Sequence, residues 1–254
     1  FISLDDNQTP SWQQRLAMLV TDGQAWFSSP DEFNDPFDCA LIADIPVSAK
    51  LIRQNAPTLI KRMIDSIGEL HPDKDILSEM TALLADIDPQ LLLKRINLSM
   101  RSTASKLGVF CVSESVDSIL MWSHYANNHT GIALRFNPHV KNFSSLGPFG
   151  KVKYQSQRPT VDAFFSDNPK TELMDALLIK ADFWSYENEW RSIRPNEGRH
   201  SIPFDQNIVD SLVFGARCSA IKCGEVKAII GSRPFSYLRA VGDYDTFRLR
   251  FFDA

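Results

Sequence analysis

Residues 183–191 read Phe-Trp-Ser-Tyr-Glu-Asn-Glu-Trp-Arg, and at period two they separate into two unlike faces. Glu187, Glu189 and Arg191 fall on one side, Trp184, Tyr186 and Trp190 on the other, as a β-strand would arrange them. Such a strand has to pack its aromatic face against a core while presenting two like charges beside a guanidinium. Carboxylates that close repel unless a cation or a polar group lies between them. The stretch therefore asks for a sheet to sit in and marks a candidate site.

A chain of 254 residues can form one large core or two small ones. Its 44% hydrophobic and 23% charged content are ordinary for a globular protein. A formal charge of −4 gives no general attraction to nucleic acid or to anionic membranes. The four cysteines, Cys39, Cys111, Cys218 and Cys223, form no CxxC pair, and the spacing of the last two fits no common zinc site. A reduced, cytoplasmic protein is expected. No apolar run reaches the roughly 18 residues of a membrane span, and no secretory signal is visible. The chain opens on Phe1, so native residues are expected to precede it.

The pattern predicts a strand at 1–4 and then a helix capped by Ser11, or by Thr9 with Pro10 in the first turn, and stopped by Gly23. A strand is expected at 24–27, followed by a loop in which Pro30 and Pro36 forbid regular structure. Residues 46–106 read as about three amphipathic helices broken near Pro57, Pro72 and Pro89. Strands are expected at 107–112, 130–136, 151–154, 183–194, 226–231 and 246–252, and helices at 118–126, 171–182 and 205–217. Together these give one α+β domain over residues 1–254, with a helical insertion at 46–106.

Three clusters of residues carry chemistry. The loop Asp31-Glu-Phe-Asn-Asp-Pro-Phe-Asp38 offers oxygen ligands for a hard cation but lacks the Gly and terminal Glu of an EF-hand loop. It reads equally as a turn whose Asn34 and Asp35 bond their own backbone, with Phe33 and Phe37 pinned to the core. The segment Met121-Trp-Ser-His-Tyr-Ala-Asn-Asn-His-Thr-Gly131 is dense in donors and acceptors, as a ligand pocket would be. Ser123 and His124 point different ways on a helix, no nucleophile elbow is present, and His124 and His129 are off the spacing of a helical metal pair. Structural hydrogen bonding for the histidines and a core role for Met121, Trp122 and Tyr125 are the plain alternative. The third cluster is the opening stretch. Asp182, Glu187 and Glu189 could hold Mg²⁺ with Lys180 or Arg191 on a phosphate, as in a nuclease, although the usual Glu-x-Lys arrangement is missing. The plain alternative is a solvated face of surface ion pairs.

Three ordered motifs, at 25–38, 121–131 and 184–191, resemble a family of bacterial proteins grouped as domain of unknown function 2971. Its members look like Leu-Trp-Phe-Ser-x-Pro-x-x-Phe-Asn-Asp-Pro-Phe-Asp, then Met-Trp-x-x-Tyr-Ala-x-x-His-x-Gly, then Trp-x-Tyr-Glu-x-Glu-Trp-Arg. That motif order is in turn similar to ADP-ribosyltransferases, an analogy at the level of fold. The resemblance implies an ADP-ribosyltransferase-like mixed β core and an enzyme that uses NAD as substrate, either a transferase or a glycohydrolase. By this analogy Glu189 is the catalytic carboxylate and Glu187 orients or deprotonates the acceptor. Trp122 and Tyr125 would bound the nicotinamide, Ser123 and His124 would hold ribose or amide groups, and Arg191 would pair with the diphosphate or neutralise the glutamates. The implied partners are NAD and an unknown macromolecular acceptor, nucleic acid included, with no membrane and no metal. A toxin, effector or phage-defence role is the implied setting. Where ADP-ribosyltransferases carry Arg or His on the first strand, this chain begins Phe1-Ile-Ser-Leu4, so the anchoring residue is expected before Phe1 or is missing. The Mg²⁺ nuclease and a non-catalytic nucleotide- or protein-binding module remain the other two readings.

Overall fold

Ser11 fixes where the chain first becomes helical. Its Oγ accepts from the Gln14 N–H at 3.3 Å while Gln14 Oε1 accepts from the Ser11 N–H at 2.9 Å, a reciprocal capping box. Helix α1, Trp12–Val20, then turns Trp12, Leu16 and Val20 inward at four-residue spacing. Strand β1, Gln24–Phe27, follows where expected.

The computed structural model describes residues 1–7, 10–43, 88–139, 143–161 and 168–254. These are a mixture of helices and several small sheets, an α+β architecture, and they divide into two compact units. One comprises Phe1–Ser29, Leu107–Val152 and Asp182–Ala254, the other Pro30–Lys106 and Lys153–Ala181.

The first unit is built on a four-stranded sheet. Strand β4, Ile132–Phe136, runs antiparallel to β11, Val209–Phe214; β11 runs parallel to β12, Ser236–Gly242; and β12 is antiparallel to β13, Leu249–Asp253. The parallel β11–β12 pair needs a crossover, supplied by helix α5, Ala220–Ile230, which packs against α1. Trp12, Leu16, Phe27, Leu212, Phe214 and Val226 belong to the resulting core. A three-stranded sheet has β9, Glu189–Arg194, at its centre, antiparallel to β3, Gly108–Ser113, and to β5, Phe149–Lys151. Strand β1 pairs with β10, His200–Pro203.

In the second unit β2, Ile42–Ala43, runs parallel to β7, Thr160–Val161, and β6, Lys153–Gln155, parallel to β8, Ile179–Ala181. Helix α2, Pro89–Ala104, packs on β2, and α4, Pro169–Leu177, on β7 and β8. Asp88 caps α2 by accepting from the Gln90 N–H, with Pro89 at the first helical position. The expected breaks at Pro57 and Pro72, and most of the helical block at 46–106, lie outside the described residues. The acidic loop folds as a turn: Asp35 accepts from the Phe37 N–H at 2.8 Å. Phe37 is 61% exposed and does not pin the loop to the core; the Arg158 guanidinium lies over its ring.

Several elements differ from expectation. The helix expected at 205–217 is a 3-10 turn, Gln206–Ile208, followed by β11. Strand β11 is buried along nearly its whole length, so its apolar residues form a run in which neither period stands out. The strand expected at 226–231 belongs to α5. Its cap Ser219 accepts from the Lys222 N–H, and Cys223, Val226 and Ile230 share the buried face. The strand expected at 1–4 amounts to a single bridge between Ile2 and Ile132. The 151–154 strand divides into β5 and β6, and the 171–182 helix ends at Leu177 and gives way to β8. Among the described residues no helix is long and apolar enough to cross a membrane.

Candidate functional site

Helix α3, Ile119–Tyr125, is capped by Ser118, whose Oγ accepts from the Met121 N–H. Trp122 on this helix is fully buried, meets Phe1 edge-on at 5.1 Å, and donates its indole N–H to the Val116 carbonyl at 2.7 Å. It packs with Ala126, Ala133, Val213 and Ala240. That makes it a core anchor and takes it out of the set expected to touch a ligand. His124 and Tyr125 point elsewhere: His124 is exposed and Tyr125 half-buried.

The chain leaves α3 through Asn127, Asn128 and His129, at φ +44°, +54° and +70°. Three successive left-handed non-glycine residues are unfavourable, roughly 1 kcal/mol or more each. Backbone bonds hold them: Asn128 and His129 N–H groups donate to Ser123 and Trp122 carbonyls at 3.3 and 3.1 Å, and Arg217 N–H donates to the His129 carbonyl at 2.9 Å. Gly131 closes the turn because a Cβ there would stand 2.2 Å from the Ile2 carbonyl oxygen. The turn lays the His129 ring flat on Trp122 and brings its Nε2 to 3.3 Å from Ser123 Oγ. Ser123 also donates to the Ile119 carbonyl at 3.0 Å. The imidazole of His129 is held below its ordinary pKa, first by burial and then by the nearby Arg217 charge.

The opposing segment is not the continuous strand that alternation implies. Asp182–Glu187 is a 3-10 helix, Asn188 sits at φ +44°, and β9 begins at Glu189. Asn188 can adopt a left-handed conformation that most residues avoid, and this resets which way Glu187 faces relative to Glu189. Trp184 and Tyr186 therefore reach His124, with ring centroids 6.0 and 6.2 Å away. Glu187 turns inward and is 3% exposed. Its carboxylate Oε1 accepts from the Tyr125 hydroxyl at 2.6 Å, and its backbone carbonyl accepts from Ser113 Oγ at 2.6 Å.

Within β9 it is the charged residues that face the interior. Glu189 and Arg191 are 5% and 1% exposed, whereas Trp190 lies half-exposed. Trp190 donates to Glu114 at 2.8 Å under the Lys151 ammonium, so it does not share a face with Trp184 and Tyr186. Arg191 Nε donates to Glu189 Oε1 at 2.7 Å and Nη2 to Oε2 at 3.0 Å. This two-point pairing is the arrangement in which a buried carboxylate keeps its charge. Of the two expected roles of Arg191, diphosphate contact or neutralising the glutamates, its burial against Glu189 accords with the second.

The structure thus brings His124, Tyr125, Trp184, Tyr186 and Glu187 together, with Ser123 on the same helix, and buries Glu189 and Arg191 in the strand that follows. His129 joins them through Ser123, a partnership that helix spacing could not reveal because the left-handed turn creates it. Among the described residues no group of three His, Cys, Asp or Glu side chains could hold a metal ion. The Mg²⁺ site imagined from Asp182, Glu187 and Glu189 is not assembled: Asp182 is exposed while the two glutamates are buried. In the second unit Lys180 pairs with Asp38 at 3.2 Å, both buried; that pairing engages the lysine assigned to phosphate.

The chain matches no curated protein and no solved structure. Residues 121–192 match the model of a family described as a protein of unknown function, DUF2971. That segment runs from Met121 in α3 into β9 and holds the residues from Trp122 to Arg191 discussed above, so over this stretch the chain is similar to the DUF2971 family.

Proposed function

We propose that this protein is an ADP-ribosyltransferase-like enzyme that consumes NAD⁺, as transferase or glycohydrolase, with Glu187 as its working carboxylate. One observation carries the reading: the 2.6 Å bond from Tyr125 to Glu187, which joins a buried acid to the helix whose exposed His124 meets the half-buried Trp184 and Tyr186 rings. Cleavage of the ribose–nicotinamide bond develops positive charge on the ribose. A carboxylate held in a site of low polarity stabilises that charge far better than water does. The same group can take the proton of an acceptor hydroxyl or water. The aromatic rings offer a surface for a flat, cationic nicotinamide, and Ser123 with His129 offers hydroxyl and imidazole groups to the ribose.

Glu189, first expected to be the catalytic acid, has both oxygens engaged by Arg191. We assign it to holding β9 in place under Glu187. The mixed α+β core agrees with the proposed fold, and the acceptor is taken to be a macromolecule. Incubation with NAD⁺, with and without protein or nucleic-acid acceptors, tests the reading by the appearance of free nicotinamide. Unchanged NAD⁺ in the presence of folded protein would contradict it.

A second reading is favoured by the burial of both glutamates, which suits a non-catalytic nucleotide-binding module. NAD⁺ would then raise the melting temperature in proportion to its occupancy while remaining intact.

A further inference from the structure

Strand β11 leaves the sheet at Phe214, and the chain turns through Cys218 into α5, one turn of which carries Cys223. The two sulfur atoms lie 3.6 Å apart, and both residues are buried in the core. Arg239, reaching over from β12, donates from Nη2 to Cys223 Sγ at 3.0 Å and from Nη1 to the Cys218 carbonyl at 3.1 Å. The guanidinium thus spans the pair, touching the sulfur of one cysteine and the carbonyl of the other. Burial, and then the neighbouring Cys223, push the Cys218 thiol up to about 12. The pair is asymmetric in its contacts, with only the Cys223 sulfur touching the guanidinium. Bringing the sulfurs to bonding distance needs a closure of only about 1.5 Å.

We infer that Cys218 and Cys223 form an oxidant-responsive thiol pair that a hydroperoxide closes into a reversible disulfide. The Cys223 thiolate, having lost its proton to water, attacks the terminal oxygen of the hydroperoxide. The O–O bond breaks, a sulfenic acid forms on Cys223, and the departing alkoxide or hydroxide takes up a proton from solvent. The Cys218 thiol then attacks the Cys223 sulfur. The S–O bond breaks, and the hydroxyl leaves as water with the Cys218 proton. Two thiols have lost two electrons and the peroxide bond has gained them. A dithiol reductant reverses the bond by exchange. Arg239 acts on the rate by holding the Cys223 sulfur beside Cys218, and Cys218 resolves the sulfenic acid before further oxidation.

Trypsin cuts after Arg217, Lys222 and Lys227, so the two cysteines fall on separate fragments, 218–222 and 223–227. The whole protein is treated with hydrogen peroxide, its remaining thiols are blocked with maleimide, and it is digested without reductant. The two fragments are expected to appear joined, and to separate when the oxidised protein is first treated with dithiothreitol. Both fragments carrying maleimide, under conditions that oxidise the exposed Cys111, would overturn the inference. So would sulfinic acid accumulating on Cys223 in place of the joined fragments. Arg239→Gln is expected to slow joining about tenfold, because the Cys223 sulfur loses the guanidinium that holds it beside Cys218; an unchanged rate would show that this contact has no part in the closure. Should that variant fail to fold, Cys218→Ser gives an independent reading. Its Cys223 is expected to stop at a sulfenic acid that dimedone captures, whereas Cys218 in Cys223→Ser is not captured. Equal capture at both positions contradicts the assignment of attacking and resolving thiols.

Discussion

Tyr125 and Glu187 stand 62 positions apart in the chain, and the hydroxyl of one donates to the carboxylate of the other at 2.6 Å. Through that bond α3 meets the 3-10 turn before β9, and the two motifs most dense in chemistry become one site. Burial of Glu187 makes the bond consequential, because an acid withdrawn from water needs a donor to keep its charge.

Tyr125→Phe removes that donor while keeping the ring. We expect a loss of about 1–3 kcal/mol in urea unfolding, the range for leaving a buried polar group without its partner. Repeated in a Glu187→Gln background the change should cost less, giving a non-zero coupling energy in the double-mutant cycle. Strictly additive costs would show that the two groups do not interact.

Arg191→Met should be more damaging. It leaves Glu189 buried without its two-point partner, a defect of about 3–5 kcal/mol. Arg191→Met with Glu189→Met removes both charges and should recover much of the loss. A single variant as stable as the parent would mean the pair has little structural role.

The depressed pKa of His129 gives stability a pH dependence of known sign. The folded protein binds the imidazole proton more weakly than the unfolded chain does. The contribution is therefore fully present above the ordinary histidine value of about 6.5, and it is lost as pH falls through that value toward the folded one. His129→Asn keeps a residue tolerant of φ +70° and removes the titration. The stability difference between parent and variant should shift in the variant's favour on acidification below about 6.5. A difference constant with pH across that window would contradict the assignment.

Gly131→Ala tests the backbone that carries the site. The added methyl would meet the Ile2 carbonyl oxygen at 2.2 Å and Ala126 backbone atoms at 3.0 Å, so the main chain itself must move. We expect a destabilisation of about 1–3 kcal/mol, read as a lower melting temperature. An unaltered melt would show that this approach of the backbone is looser than described.

Much of the first unit was legible where a local signal and the tertiary environment agree. Ser11 announced α1 by its capping chemistry, a helix was expected over 118–126 where α3 lies, and the short strand at Gln24–Phe27 stood between recognisable turns. What was hidden lay in backbone states that side-chain pattern does not encode. Asn188 at φ +44° converts an apparent strand into a turn and a strand, so Glu187 and Glu189 occupy different environments. The three left-handed residues after α3 bring His129 back to Ser123 by a path that no helical spacing describes. Arg191 illustrates a further limit. Composition marks an arginine beside two acids as surface charge or ligand anchor, whereas here it is among the most buried side chains of its unit. For β11 and α5 the period itself was uninformative, because a strand buried on both faces and a short helix rich in β-branched residues read alike.

The rate of nicotinamide release by Glu187→Gln, compared with the parent at matched folded fraction, decides whether Glu187 works on the glycosidic bond of NAD⁺ as proposed. We expect release by the parent and a loss of about a hundredfold or more in the variant, with the melting curve little changed. No release by the folded parent, or release by the variant at the parental rate, would contradict it.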